Sequence, residues 1–469
     1  MKKKVITILL TCVMLLAVLL SGCNQGTAAD PGADPGASGG GSSAGTKTDS
    51  GGGGGGANPV INLWSFTDEV PKMADRYKEL NPGFAYDFNA TIIATTEGAY
   101  QPALDQALSG GGADAPDMYC AEAAFVLKYT QGDAAHFAAA YKDLGIDTGL
   151  LAAAEIAPYA SDIGTRLSDG ALVGLPYQAT GGAYIYRRSI AKDTWGTDDP
   201  ATIKGKIGPG WEKFMQAAAD LKAKGYAIVS GDGDVWHPLE NNSEKGWIVD
   251  GKLYIDPGRE IFLDIARELK DNGYMNDTVD WQDPWFADMK DAGPQKVFGF
   301  FGPAWLINYV MANNAGDTAG DWAICEPPNG FSWGGTWIIA NEGGNPAVRD
   351  GVAEFIQWIT LDTSDSGLQY HWANGTLFGD GGTKDTVASG VVMAKSNGEL
   401  DFLGGQNMFD VFVPAGATAT GKNKTQYDET INIYWRDQVR MYVAGEKSRD
   451  AALTDFKRMV ADNLDVIVE

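Results

Sequence analysis

A stretch rich in Gly, Ser and Pro at residues 24–57 sets the strongest limit on what this chain can fold into. The sequence Asp-Pro-Gly-Ala occurs at residues 30–33 and again at 34–37, and residues 51–56 are all Gly. Such a segment has too few apolar side chains to build a core, and its composition is typical of a flexible tether that spans about 30 Å. Folding is therefore expected in the long remainder of the 469-residue chain.

The first 23 residues have the pattern of a bacterial export signal. Three Lys at residues 2–4 precede an almost purely apolar run at residues 5–20, which is shorter than the roughly 20 residues of a membrane-spanning helix. The Leu-Ser-Gly-Cys that follows resembles the lipobox of bacterial lipoproteins. This resemblance implies a signal peptide at residues 1–22 and a lipidated Cys23, which anchors the protein at the extracellular face of the cell membrane, as in Gram-positive bacteria.

Charge and cysteine content exclude one class of partner and leave one covalent question open. The formal net charge is −25, which argues against nucleic acid as a partner because phosphate binding needs clustered Lys and Arg. Cys12 lies in the predicted signal and Cys23 is the predicted lipidation site, so Cys120 and Cys325 are the remaining thiols. An exported protein can form a disulfide, but two Cys do not decide whether they pair.

After residue 57, short apolar runs alternate with amphipathic segments. Residues 60–64, 297–301 and 337–340 predict strands, and apolar side chains recur at helical spacing in five segments. The helix predictions rest on Met73, Tyr77 and Leu80; on Trp211, Phe214, Met215, Ala218 and Leu221; on Phe262, Ile265, Ala266 and Leu269; on Val348, Val352, Phe355, Ile356 and Ile359; and on Leu453, Phe456, Met459 and Val460. The alternation is typical of an α/β fold, and the length favours two lobes.

The order of these segments resembles that of the extracellular solute-binding proteins of ABC transporters, specifically the sugar-binding group that includes maltose-binding protein. The resemblance covers nearly all of residues 58–469 and consists of local patterns in the right order. Those patterns include Ala-Pro-Asp-Met-Tyr at residues 115–119, Leu-Val-Gly-Leu-Pro-Tyr at 172–177, Ala-Tyr-Ile-Tyr-Arg at 183–187, Val-Phe-Gly-Phe-Phe-Gly-Pro-Ala-Trp at 297–305, Trp-Ala-Ile-Cys-Glu-Pro-Pro at 322–328 and Phe-Ile-Gln-Trp-Ile at 355–359.

The resemblance implies a two-lobed α/β fold, like that of periplasmic binding proteins, with three hinge crossovers and a ligand cleft between the lobes. Lobe one is predicted at residues 58–179 plus 310–342, and lobe two at residues 180–309 plus 343–469. The implied protein is a monomer without a cofactor, not an enzyme. It closes around a carbohydrate, an oligosaccharide in particular, and hands it to the permease subunits of an ABC importer. The sugar and the permease are not determined by the sequence.

Aromatic and carboxylate side chains at the expected edges of the cleft are the candidate ligand-binding residues. An indole ring stacks on the C–H faces of a sugar, and carboxylates form strong hydrogen bonds with its hydroxyls. The candidates are Trp64, Asp68, Glu69, Tyr119, Glu122, Tyr177, Gln178, Trp236, Trp281, Trp285, Trp305, Trp333, Trp337 and Trp372. Core positions are predicted instead for Trp211, Trp322, Trp358 and Trp435.

Other chemistry has little support in the sequence, so no catalytic residue and no metal ligand is predicted. The three His residues are far apart and lack metal-ligand spacing. Residues 416–422 fit Gly-x-x-x-x-Gly-Lys, but Asn423 replaces the Ser or Thr of a phosphate-binding loop. Two alternatives stay open: a tethered glycoside hydrolase, which would use a pair of carboxylates, and the same fold with a non-sugar ligand such as a peptide.

Overall fold

The computed structural model describes residues 58–95 and 98–469, so the predicted signal peptide, Cys23 and the tether lie outside the described residues. The strands are β1 Val60–Ser65, β2 Asp87–Ile92, β3 Met118–Glu122, β4 Gly174–Pro176, β5 Ala183–Arg187, β6 Ile248–Val249, β7 Lys252–Leu253, β8 Gly299–Gly302, β9 Trp322–Cys325, β10 Thr336–Ala340, β11 Glu399–Leu400 and β12 Gln406–Asn407. All three predicted strands are present, at β1, β8 and β10.

Helices account for most of the remaining regular structure. The α-helices are Glu69–Leu80, Tyr100–Gly110, Val126–Thr130, Leu150–Ala154, Pro158–Gly164, Arg188–Trp195, Pro200–Ile207, Trp211–Ala223, Asp232–Glu240, Pro257–Asp271, Asp283–Met289, Ala312–Asn314, Arg349–Thr360, Leu368–Asn374, Gly390–Ala394, Phe409–Ala417, Asp428–Val443 and Arg449–Asn463. Short 3-10 segments occur at Ala135–Phe137, Tyr141–Leu144, Gly316–Thr318, Pro346–Val348 and Asp401–Leu403, and a π-helical segment at Leu306–Met311. In residues 58–95 and 98–469, no helix is both long and apolar enough to cross a membrane.

The helix ends show why these segments form where they do. The helix Pro257–Asp271 begins with Pro at its first turn, and the side chain of Asp256 accepts a hydrogen bond from the Gly258 N–H. Ser448 caps the helix Arg449–Asn463 in the same way, through the Ala451 N–H. All five predicted amphipathic helices are present, and most of the apolar side chains that predicted them are buried. The exceptions in position are Leu80, which is 38% exposed, and Val348, which lies in the 3-10 segment before its helix.

A five-stranded sheet forms the centre of lobe one. Its strand order is β2-β1-β3-β10-β4. The strand β1 pairs in parallel with β2 and β3, whereas β10 runs antiparallel to β3 and β4. Ile61 and Leu63 of β1 are fully buried. The polar side chains that follow β1 and β3 therefore leave the sheet at one edge, because parallel strands end on the same side.

A three-stranded antiparallel sheet forms the centre of lobe two. Its strand order is β8-β5-β9, and isolated parallel bridges from Ala227 to Val297 and from Val229 to Met275 extend the pairing. Residues 177–182 connect β4 of the first sheet to β5 of the second, and residues 326–335 connect β9 back to β10. These two connections are joined by a bridge between Gly181 and Ser332.

The predicted division into lobes differs from the structure at two places. The strand β9 pairs with β5 in the second sheet, although residues 310–342 are predicted in lobe one. Phe355 packs against Tyr77 and Phe88 of lobe one, with ring centroids 5.5 and 5.0 Å apart, although residues 343–469 are predicted in lobe two. Both differences depend on long-range packing, which segment order does not specify. The remaining boundaries stay a prediction.

The buried Trp and Cys residues belong to the cores. Trp211, Trp322, Trp358 and Trp435 are at most 9% exposed, which confirms their predicted core positions. Cys120 lies on β3 and Cys325 on β9, and both are buried free thiols, so the structure has no disulfide between them.

Candidate functional site

Two adjoining cavities, of about 80 and 280 Å³, open between the lobes. Lobe one contributes Glu122 at the end of β3 and the residues that follow it, and the side chain of Glu122 accepts a hydrogen bond from the Ala124 N–H at 2.7 Å. Lobe two contributes the helices Asp232–Glu240 and Asp428–Val443. A ligand in these cavities would contact both lobes at once, which is the condition for ligand-driven closure.

Three Trp residues predicted at the site form one cluster beside the smaller cavity. The rings of Trp281 and Trp305 are nearly parallel, with centroids 6.1 Å apart, and each meets the ring of Trp333 edge-on, at 5.9 and 4.8 Å. The indole N–H of Trp305 donates to the carbonyl of Trp333 at 3.1 Å. Trp333 lines the cavity, and His237 stacks on one face of its ring at 4.0 Å. The cluster thus provides a rigid aromatic wall.

Backbone geometry also marks this cluster. Trp281 has φ of 66°, in the left-handed region that bulky side chains rarely occupy, and its buried indole N–H has no hydrogen-bond partner among the described residues. Trp305 immediately precedes the π-helical segment Leu306–Met311. Strained backbone and π-helical turns occur preferentially at functional sites, so both observations favour a functional role for this wall.

A buried ion-pair network holds the segment that carries Trp281. Asp280 accepts hydrogen bonds from the guanidinium of Arg436 at 2.6 and 2.7 Å and from that of Arg440 at 2.8 Å. Burial alone would raise the pKa of Asp280, but the two guanidinium groups outweigh that effect and lower the pKa to about 2. Asp280 is therefore ionised at neutral pH and fixes the backbone next to Trp281.

Trp285 has a different function, as an internal support of the same wall. It is 1% exposed, its ring lies 5.5 Å from that of Trp281, and its indole N–H donates to Asp234 at 2.9 Å. The other oxygen of Asp234 accepts hydrogen bonds from the backbone N–H groups of Ser230 and Gly231. Burial raises the pKa of Asp234 to about 7, despite these hydrogen bonds.

A second group of predicted residues meets near the first connection between the lobes. The hydroxyl of Tyr177 donates to the carboxylate of Glu69, and its ring meets that of Trp372 edge-on at 6.0 Å. The buried indole N–H of Trp372 has no hydrogen-bond partner among the described residues. Gln178, the next residue along the chain, is also buried.

The other predicted residues lie apart from both groups. Trp337 is buried in β10, where its indole N–H donates to the carbonyl of Ala160, and Tyr119 is fully buried in β3. Trp64 is half-buried at the end of β1. Asp68 is exposed and pairs with Lys72 at 2.6 Å.

Trp236 lines the cavity from inside a helix rather than from a loop. It is only 1% exposed and packs on Phe262. Its ring is therefore part of the lobe-two core behind the cavity wall.

Sequence reasoning missed several titratable residues that line the smaller cavity. They are His237, Glu240, Lys424, Asp428, Glu429 and Arg436. Burial lowers the pKa of His237, in opposition to the nearby carboxylate of Glu240. A signal was available in the helix Asp428–Val443, because Asp428, Asn432 and Arg436 are spaced by four and share one helix face. In residues 58–95 and 98–469, no group of three or more His, Cys, Asp or Glu is placed to hold a metal ion.

Comparisons with known proteins address the fold. No protein-family model matches the chain. No curated protein matches its sequence. Among solved structures, an extracellular solute-binding protein of family 1 is 18% identical with a TM-score of 0.69, over 86% of this chain and 99% of that chain.

Two further solved structures give the same result. The galacto-N-biose-/lacto-N-biose I-binding protein of an ABC transporter from Bifidobacterium longum is 15% identical with a TM-score of 0.63, over 89% of this chain and 100% of that chain. The sugar-binding protein MalE from Xanthomonas citri is 15% identical with a TM-score of 0.64, over 86% and 96%. The chain therefore has the two-lobed α/β fold of the extracellular solute-binding proteins, as predicted.

Proposed function

We propose that this protein is the substrate-binding lipoprotein of an ABC importer, which captures a carbohydrate in the cleft between its lobes without bond chemistry. The observation that carries the proposal is a cavity lined from both lobes and flanked by the wall of Trp281, Trp305 and Trp333. Structural neighbours include proteins described as binding lacto-N-biose and β-1,6-galactobiose, which supports a saccharide as the ligand class.

The proposed mechanism is capture by closure. A saccharide that contacts Trp333, the helices of lobe two and Glu122 of lobe one stabilises only the conformation in which all three are near. The fraction of closed protein then rises to an extent set by the ratio of the saccharide's affinities for the closed and open states. In this proposal the lipid on Cys23 and the tether at residues 24–57 keep the closed protein within reach of the permease subunits at the outer membrane face.

A thermal-shift screen of the mature chain against saccharides, amino acids and peptides tests the proposal. A ligand at 100 times its dissociation constant adds about 2.7 kcal/mol to the free energy of unfolding. Stabilisation by a saccharide that is recovered intact afterwards is the expected result. Release of shorter sugars would instead favour the hydrolase, and stabilisation by peptides alone would favour a peptide-binding protein.

A further inference from the structure

The cavities between the lobes are lined by more acidic than basic side chains. The acidic lining residues are Glu122, Asp133, Glu240, Asp428 and Glu429, and the basic ones are Lys128, Lys424 and Arg436. Two of the three basic groups are engaged by carboxylates outside the lining. Lys128 pairs with Asp105, and Arg436 pairs with Asp280. The side chains that line the two cavities therefore carry a net negative charge.

Asp428 differs from an ordinary buried carboxylate because only one of its oxygens is satisfied. The side chain is 5% exposed. One oxygen, Oδ1, accepts hydrogen bonds from the backbone N–H and the hydroxyl of Thr425, at 3.0 and 2.7 Å. The other oxygen, Oδ2, is buried and has no hydrogen-bond partner among the described residues, although Asp428 lines the cavity. Such an acceptor is costly to bury unless a donor reaches it.

The basic groups near Asp428 do not supply that donor. The structure records no ion pair within 4 Å between Asp428 and either Arg259 or Lys424 across its described residues. Arg259 instead lies over the ring of Trp247, 4.6 Å from the centroid, and its Nε and Nη1 atoms have no hydrogen-bond partner there. A ligand donor that reaches this oxygen from the cavity would therefore satisfy it.

We propose that the cleft selects its saccharide by charge: it binds neutral or amino-substituted sugars and excludes those with carboxylate, sulfate or phosphate groups, and Oδ2 of Asp428 accepts a hydrogen bond from a hydroxyl or ammonium group of the ligand. This inference rests on the proposed function and narrows its ligand class. An anionic substituent supplies no donor to Asp428 and is repelled by the carboxylates of both lobes, whereas a hydroxyl or ammonium group satisfies the free acceptor.

Charge-matched probes test the selection. Neutral gluco-, galacto- and manno-oligosaccharides are titrated into the mature chain by calorimetry, and each one that binds is compared with its C6-oxidised uronate form and its 2-amino form. The expected result is binding of the oxidised form at least 100-fold weaker than that of the neutral form, with the amino form bound as tightly or more tightly. Equal binding of oxidised and neutral forms would overturn the inference and leave the proposed function standing. Binding of no saccharide in any form would overturn both.

Two variants on one helix test the role of Asp428. Asp428→Asn keeps the shape of the side chain and removes its charge. We expect it to lower the affinity for the neutral probe at least 10-fold and to reduce the ratio of the affinities for the neutral and oxidised probes. Asp437→Asn removes an exposed charge from the same helix and should bind as the unaltered protein does. Unchanged binding by Asp428→Asn would contradict the assignment. The comparison of neutral with oxidised probes uses the unaltered protein, so it remains decisive if Asp428→Asn does not fold.

Discussion

Trp281 combines a strained backbone with an unsatisfied indole N–H. A non-Gly residue in the left-handed region costs on the order of 1–3 kcal/mol, and the surrounding structure must enforce it. Here the enforcement comes from Asp280, which is held by two guanidinium groups, and from the rings of Trp285, Trp305 and Trp333. The strain thus fixes the ring of Trp281 against Trp305 and Trp333, of which Trp333 lines the smaller cavity.

We expect Trp281→Phe to weaken saccharide binding about 10-fold, because Phe has less surface for stacking and no N–H to donate. The free energy of unfolding should change by only about 1 kcal/mol, since an aromatic ring still packs against Trp305. Calorimetric titration and thermal unfolding measure both quantities. The matched control is Trp195→Phe, which loses an indole hydrogen bond to Asp220 of lobe two; neither residue lines either cavity. Equal losses of affinity in the two variants would argue against a ligand contact by Trp281.

The ionised carboxylate of Asp428 is expected to lower the stability of the fold, although the same group is proposed to bind the ligand. Burial, reinforced by Glu240, raises its pKa to about 6, although Arg259 and Lys424 act in the opposite direction. The unfolded value is about 3.9, so the ionised form lowers the free energy of unfolding by about 3 kcal/mol above pH 6, and this cost disappears below about pH 4.

Asp428→Asn should therefore raise the free energy of unfolding at pH 7, by up to about 3 kcal/mol, and this gain should shrink as the pH falls towards 4. Urea denaturation at several pH values measures it, with Asp437→Asn as the control. A variant that is less stable than the unaltered protein throughout this range would contradict the prediction.

At the scale of elements, local sequence pattern predicts helices with an apolar buried face well, but it does not predict the buried polar face of the cavity-lining helix Asp428–Val443. The helix Pro257–Asp271 follows from a cap, a first-turn Pro and an apolar face, all of which are local. The helix Asp428–Val443 carries buried polar residues at positions that an amphipathic pattern assigns to solvent. The place of this helix at the cleft depends on Asp280 and Glu122, which are distant from it in sequence. For that reason its acidic residues Asp428 and Glu429 were not predicted, whereas Glu122 and the Trp wall were proposed from their residue types.

The network between Asp280 and the helix Asp428–Val443 gives an element-scale prediction. Asp280→Asn leaves Arg436 buried without its counter-charge, which should lower the free energy of unfolding by about 3–5 kcal/mol. Because the pKa of Asp280 is lowered to about 2, its ionised form stabilises the fold above about pH 4, and this contribution is lost as the pH falls from 4 towards 2. The difference between variant and unaltered protein should therefore be largest near neutral pH.

Denaturation across this pH range checks the sign, and the nearby loop offers a matched control. Asp277→Asn removes a surface partner of Lys270 and should change the free energy of unfolding by less than about 1 kcal/mol. A difference that grows on acidification would show that Asp280 does not act through its charge.

At the scale of the whole molecule, the two sheets are joined by chain connections and not by a disulfide. Cys120 and Cys325 lie in different sheets, and burial raises the pKa of both thiols, that of Cys120 to about 12. We expect neither thiol to react with a chromogenic disulfide reagent in the native mature chain, and both to react after unfolding in urea. A melting temperature that falls on addition of a reductant would contradict this, because it would reveal a structural disulfide.

Closure around a ligand predicts a change in overall shape. Small-angle X-ray scattering of the mature chain should give a smaller radius of gyration with a saturating saccharide than without it, since the lobes approach each other. Trp281→Phe at the same fractional saturation is the control, because occupancy and not affinity determines the closed population. An unchanged radius at full occupancy would mean that the ligand binds without hinge motion.

The location of Trp333 has a consequence for the timing of transport. This residue belongs to residues 326–335, which join the two sheets, and its backbone N–H donates to Thr180 in the other connection. If the ligand contacts Trp333 as proposed, one residue of the pivot also holds the ligand. Opening of the lobes and dissociation of the ligand would then occur in one step, and a single energy barrier would set both the lifetime of the complex and the rate of delivery.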